Sequence, residues 1–198
     1  MQDEEVIGLG LAGCGVVGTG ILHILRDHRE TLEARLGARL EVRRVAALNP
    51  DKERDPLIPP DLLSFDPIEV AQDPSVDVFI EVMGGLDTAG DAVRAALRAG
   101  KHVVTANKAL LAEHGEELLH MAEENAVDLY FEAAVGGGIP IIRVLREALA
   151  SDRIVALRGI VNGTSNYILS RMQTEGLAFE QALAAAQNEH RRRPRRRA

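Results

Sequence analysis

The sequence predicts an α/β fold, a doubly wound parallel sheet, on three observations. Short apolar runs that suit buried strands recur along the chain, helix-period patterns lie between them, and a glycine-rich turn joins the first run to the first helix.

The first run is VIGLGLAG (residues 6–13), almost at the start of the chain. Gly13, Gly15 and Gly18 follow the pattern G-x-G-x-x-G inside LAGCGVVG. Beyond them Ile21, Leu22, Leu25 and Leu32 recur at helical spacing, with Arg26, Asp27, Arg29, Glu30 and Glu33 on the other face, so a helix opens where the loop ends. Strand, loop and helix stand in the order a dinucleotide fingerprint requires. Gly13 permits the tight turn, Gly15 lets a pyrophosphate approach the backbone, and Gly18 lets helix and strand pack closely. The bland alternative is a glycine turn that binds nothing.

A second strand is expected at LEVRRVAAL (40–48), followed by NPDKERDPLIPPD (49–61), a surface loop dense in proline and charge. DVFIEVMGG (77–85) is a third strand ending in a glycine pair, and DAVRAALRAG (91–100) is an alanine-rich helix stopped by glycine. KHVVTANK (101–108) is a fourth strand, followed by a helix through Leu110, Leu111, Leu118, Leu119 and Met121, and VDLYFEAAV (127–135) is a fifth strand. After Gly138 the period changes. IPIIRVLREALA (139–150) is a helix started by Pro140, and RIVALRGIV (153–161) is a strand that runs into the turn NGTSN. The expected organisation is a dinucleotide-binding domain over 1–138, the beginning of a second, incomplete α+β domain over 139–190, and a basic disordered tail over 191–198.

Hydrophobic residues make up 46% of the 198, enough for a buried core, and no apolar run reaches the ~20 residues that span a membrane. No signal-peptide pattern precedes the first strand, and the lone Cys14 has no internal partner, so a cytoplasmic setting is expected. Six of the 23 basic residues are the arginines of the tail; against 30 acids the remaining 17 leave residues 1–190 at a net charge of −13. An acidic body argues against a nucleic-acid surface. There is no His/Cys cluster for zinc, no G-x-S-x-G and no phosphate-loop lysine, and the six histidines are scattered.

In a doubly wound sheet, ligands bind at the carboxyl ends of the strands. The second strand ends in Leu48 and Asn49, where an acid would hold the ribose hydroxyls of NAD and repel the extra phosphate of NADP. Lys52 and Arg54 either meet that phosphate or stand as solvated loop charges. Thr105, Asn107 and Lys108 end the fourth strand. From there Lys108 is the candidate catalytic donor to a carbonyl that gains negative charge in hydride transfer, or else a lysine on a loop. In EAAVGGGIP (132–140) three successive glycines bring backbone close to a ligand, expose carbonyls to a hard cation, or act as a plain hinge.

LAGCGVVGTG, EVMGG, VVTANKALLA, FEAAVGGGIPII and NGTSNYILSRM, in this order and at these spacings, resemble the N-terminal part of homoserine dehydrogenase over roughly residues 5–188. The resemblance implies an oxidoreductase that interconverts L-homoserine and L-aspartate 4-semialdehyde with NADP or NAD, in threonine and methionine biosynthesis. It implies that Gly13, Gly15, Val16, Val17 and Gly18 cradle the pyrophosphate, with Asn49 near the adenosine ribose and Gly84 and Gly85 on the adenosine side. Thr105 and Lys108 would face the nicotinamide, and Lys108 the substrate oxygen. A monovalent cation such as sodium would be held, largely by backbone oxygens, at Glu132, Val135, Gly137 and Ile139. The partners implied are a small-molecule substrate and, for the full-length family, a second copy in a homodimer, with no nucleic acid and no membrane. The sequence departs from the family where a D-x-x-G-x-D-A-x-x-K-like stretch carrying a catalytic Asp and Lys is expected and RRRPRRRA stands instead. That departure implies a truncated homoserine dehydrogenase, or a non-catalytic nucleotide-binding fragment of that family.

Overall fold

A computed structural model describes residues 5–49, 51–160 and 162–192, and divides into two compact units after Leu149. The first unit is built on six parallel strands: β1 (Val6–Ala12), β2 (Arg39–Ala46), β3 (Leu63–Ser64), β4 (Val78–Glu81), β5 (His102–Thr105) and β6 (Leu129–Tyr130). Their spatial order is β3-β2-β1-β4-β5-β6. The order reverses between β1 and β4, and the crevice at that reversal is where open α/β sheets take ligands.

Side chains alternate across the sheet, so each strand feeds two cores. Leu11 and Val45 pack with Leu22 and Ile58 on the face covered by α1 (Val16–Asp27). Ala12, Ala46 and Phe79 turn to the other face, under α3 (Pro67–Gln72), α4 (Asp87–Arg98) and α5 (Lys108–Glu124). The small residues of α4 serve this packing: Ala89, Ala92, Val93 and Ala96 are all buried, which lets the helix lie close to the strands.

Several local expectations change. The helix after the glycine loop is two helices, α1 and α2 (Arg29–Leu36), with His28 at the joint. The loop over 49–61 is not wholly surface: Ile58 is 6% exposed and belongs to the core under α1. The segment behind it carries β3 and α3, which the strand and helix patterns did not reveal, although Asp66 as an N-cap accepting from Ile68 N–H and Pro67 in the first turn mark the start of α3. The fifth expected strand is paired only at Leu129 and Tyr130, and its remainder turns into the short helix α6 (Glu132–Val135). Residues 139–150 form α7 (Ile141–Arg143) and a π-helical turn (Val144–Ala148) closed by Leu149 N–H on the Val144 carbonyl. Compact contacts keep residues 139–149 with the first unit, whereas the sequence pattern changes after Gly138.

The second unit pairs α8 (Gly163–Glu175) with α9 (Phe179–Arg192) through Ile168, Ala182 and Ala186. NGTSN is not a turn but the start of α8, with the Asn162 side chain accepting from Ser165 N–H. The strand expected at 153–161 is not formed over 153–160, where Val155 and Ile160 are 89% and 74% exposed; residue 161 lies outside the described residues. A strand needs a neighbour for its N–H and C=O groups, and among the described residues this unit has none. Of the expected basic tail, residues 191 and 192 close α9, and 193–198 lie outside the described residues.

Candidate dinucleotide site

The carboxyl ends of the parallel strands gather the candidate residues along one edge of the sheet. Gly13, next after β1, donates its N–H to the Ala46 carbonyl at 3.0 Å and has φ +107°. A Cβ there would stand 2.9 Å from Met83 N and from the Val82 carbonyl carbon and oxygen, and a Cβ on Gly18 would stand 1.9 Å from the Gly13 oxygen. These two glycines are required by the protein's own packing. Gly15 differs: as N-cap of α1 it has φ −82°, ordinary for any residue, and nothing lies within 4 Å of a Cβ built on it. The space in front of Gly15 is open, and no side chain caps the first turn of α1, where Val16 and Val17 are 68% and 56% exposed. An uncapped helix start facing an open glycine is a cradle that fits a pyrophosphate. Cys14 packs beside the core under α1.

At the end of β2, Asn49 is exposed and its side-chain oxygen accepts from Asp51 N–H at 2.9 Å. Arg54 folds back so that its guanidinium donates to the Asn49 carbonyl, while its Nε is buried with no acceptor among the described residues. Asp55 anchors this loop to α1 through His23 at 3.0 Å; its carboxyl is held below the ordinary value, first by the Leu57 N–H and then by His23. Lys52 stays exposed.

At the ends of β4 and β5 lies a group the sequence did not reveal. Glu81 is completely buried; it accepts from Met83 N–H at 2.8 Å, from Gly84 N–H at 3.1 Å and from the Thr105 hydroxyl at 2.6 Å. Thr105 is equally buried, so its hydroxyl works inside the protein rather than on an open surface. It accepts in turn from Asn107 N–H at 3.0 Å. The Asn107 amide donates to the Gly85 carbonyl at 2.6 Å, and its oxygen caps α5 by accepting from Leu110 N–H at 3.1 Å. Lys108, the first residue of α5, is exposed beside this cap.

After β6, Gly137 takes φ +61° in a turn closed by Ile139 N–H on the Gly136 carbonyl at 3.2 Å. Val135 and Ile139 are exposed. The Glu132 carboxylate is engaged internally: it accepts from Ile142 and Arg143 N–H at 2.8 and 2.9 Å and so caps α7, beside a cavity of about 570 Å³. No group of three or more His, Cys, Asp or Glu residues able to hold a metal occurs among the described residues, and none of their helices is long and apolar enough to cross a membrane.

The homoserine dehydrogenase NAD binding domain model matches residues 13–132, more than half of the chain, and the homoserine dehydrogenase model matches residues 140–191. The chain belongs to the homoserine dehydrogenase family. It is 45% identical over 184 residues to the homoserine dehydrogenase of Bacillus subtilis, a match covering 93% of this chain and 42% of that protein. The Neisseria gonorrhoeae homoserine dehydrogenase is 46% identical, over 91% of this chain and 41% of its own length. Among solved structures, a homoserine dehydrogenase from Thiobacillus denitrificans superposes with a TM-score of 0.83 at 45% identity, over 96% of this chain and 44% of that one. A hyperthermophilic archaeal homoserine dehydrogenase in complex with NADPH superposes at 0.72 with 25% identity, over 93% of this chain and 61% of that one. The chain thus spans about 42% of the length of the curated relatives it matches.

Proposed function

We propose that this chain is the dinucleotide-binding part of a homoserine dehydrogenase, serving hydride exchange between L-homoserine and L-aspartate 4-semialdehyde in cytoplasmic threonine and methionine synthesis. One observation carries the proposal: the loop after β1 is packed to backbone contact at Gly13 and Gly18 yet left open at Gly15, at the reversal of the strand order. When bound, the nicotinamide supplies or accepts the hydride.

The chain's own residues divide the remaining work. Val16, Val17 and Gly18 receive the pyrophosphate on the free N–H groups that open α1, beside the open Gly15, while Gly13, whose own N–H is held by the Ala46 carbonyl, makes the turn. Asn49 puts no negative charge at the adenosine ribose, and Arg54 brings a guanidinium to the same strand end, so both NAD and NADP are accepted. Gly84 and Gly85 border the crevice from the β4 side. Lys108 offers an ammonium to the substrate oxygen as negative charge develops there.

The catalytic Asp and Lys that the family resemblance implies do not lie in the 198 residues, so the chain by itself binds dinucleotide with little or no homoserine oxidation. This second, non-catalytic reading is favoured for the isolated chain by its 42% span of its relatives. The turn at Glu132, Val135, Gly137 and Ile139 suits a monovalent cation such as sodium in donor type, since backbone oxygens are hard ligands. The Glu132 and Ile139 carbonyls already accept one internal N–H each and keep a second lone pair. A sodium titration that leaves the NMR shifts of this turn unmoved would remove that assignment. Calorimetric titration with NADPH, NADH and homoserine tests the rest: binding of either dinucleotide without oxidation of homoserine supports it, and no heat from either dinucleotide refutes it.

A further inference from the structure

We propose that Glu81 is a positioning residue that presets the nicotinamide end of the cleft, through Thr105 and Asn107, before any ligand arrives. The proposal deepens the dinucleotide reading and rests on it.

Three features single this carboxylate out. It is completely buried, yet all its donors are neutral: two backbone N–H groups and one hydroxyl. Burying a carboxylate carries a desolvation cost that neutral donors offset only when the geometry is good. The cost is not incurred to join the strands, because β4 and β5 are already joined by four paired residues, 78–81 with 102–105. What the carboxylate adds lies beyond the ladder.

On one side it grips Met83 and Gly84 at the start of a loop in which Gly84 and Gly85 have φ angles of +76° and +82°. Two adjacent left-handed glycines have no side chains to hold them and carry the largest backbone freedom of any residue. Glu81 holds the front of this loop, and the Asn107 amide holds its back at the Gly85 carbonyl. On the other side, the hydroxyl that Glu81 orients accepts the Asn107 N–H, and Asn107 starts the helix whose first residue is Lys108. One buried chain of hydrogen bonds therefore sets the glycine loop and the lysine in register with each other. Met83 also packs against the floor of the phosphate loop, since a Cβ on Gly13 would meet its nitrogen at 2.9 Å.

Glu81→Gln is nearly isosteric. With the amide oxygen kept on Met83 and Gly84, the amide NH₂ faces the Thr105 hydroxyl and turns the hydroxyl proton away, leaving a buried donor without its acceptor. The assay is calorimetric titration of the 198-residue chain with NADPH and with 2′-phospho-ADP-ribose, which lacks nicotinamide, alongside urea unfolding. For the wild-type chain, NADPH binds more tightly than the truncated ligand. Glu81→Gln is expected to erase about tenfold of that ratio, the size of one lost buried hydrogen bond. Thr105→Val loses the ratio as well, whereas Thr105→Ser retains it. A merely structural role would reduce the active fraction or weaken both ligands alike, and leave the ratio unchanged. An unchanged ratio in Glu81→Gln overturns the proposal. Should that variant not fold, an unchanged ratio in Thr105→Val does so. If the wild-type chain binds neither ligand, the dinucleotide reading itself fails and takes the inference with it; equal binding of the two ligands by the wild type overturns the inference alone.

Discussion

Gly15→Val and Gly18→Val separate a glycine that serves a ligand from one that serves the fold. At Gly15 the backbone sits at φ −82° and ψ −160°, which valine adopts without strain, and nothing lies within 4 Å of the new Cβ. The only expected stability change is the loss of a good N-cap against the gain from a stiffer unfolded chain, together within about 1 kcal/mol. Two methyl groups then occupy the space where the pyrophosphate must approach the N–H groups of α1. Losing that approach removes several charge-assisted hydrogen bonds of about 1.5–3 kcal/mol each, so the dissociation constant for NADPH rises at least about a hundredfold. At Gly18 the Cβ would lie 1.9 Å from the Gly13 carbonyl oxygen, backbone against backbone, so helix and loop must part. That variant is expected to lose about 2–4 kcal/mol of stability, at the upper end of overpacking costs, with loss of binding as a consequence. Calorimetry gives the affinities and urea unfolding the stabilities. A Gly15→Val chain that binds NADPH as the wild type does would refute the phosphate assignment, and one that unfolds would refute the claim that the space is empty.

Three further outcomes are expected. Arg54→Ala is expected to weaken NADPH by about tenfold while changing NADH by less than about twofold, because on the proposed reading the guanidinium held at the Asn49 carbonyl meets the 2′-phosphate, which NADH lacks; parallel titrations decide it. The Asp73 carboxyl, lowered from 3.8 to about 2 by the Ser75 hydroxyl first and the Arg44 guanidinium second, ties α3 to β2. A depressed pKa stabilises the fold above the ordinary value and loses that stabilisation as pH falls, so the gap between wild type and Asp73→Asn, about 1 kcal/mol at neutral pH, closes between pH 3.8 and about 2 in urea unfolding. In a chain extended by a family C-terminal region, Lys108→Ala lowers homoserine turnover by at least about a hundredfold, with dinucleotide affinity kept within about threefold; normal turnover would remove Lys108 from the chemistry.

What was legible in the sequence was what local chemistry encodes. The glycine loop, the alternation of apolar runs with helix periods, and the glycine stop of α4 each depend on residues within a few positions of one another, so the fold class followed from them, as did the place of the loop on which the proposed phosphate site rests. Asn107 stood in view as a strand-end residue, and its place before Lys108 marks it as a helix cap once the helix start is known. Glu132 entered only through the family resemblance, as one of a set of backbone-oxygen donors; that its carboxylate caps α7 depends on a turn that brings Ile142 and Arg143 back to it.

Tertiary structure alone decided the rest. Glu81 is one acid in an apolar run, and nothing near it in sequence shows that Thr105, 24 positions away, lies beside it; the parallel pairing of β4 with β5 creates that contact and with it the burial. Ile58 sits in a charged, proline-rich loop and is buried because α1 and β2 leave room for it. Residues 153–160 have strand composition and form no strand, because pairing is supplied by another segment and not by propensity. Composition and periodicity fix what a segment can become. Which buried groups meet, and therefore which side chain orients the crevice, is fixed only when segments distant in sequence share one low-dielectric interior in which every donor must find its acceptor.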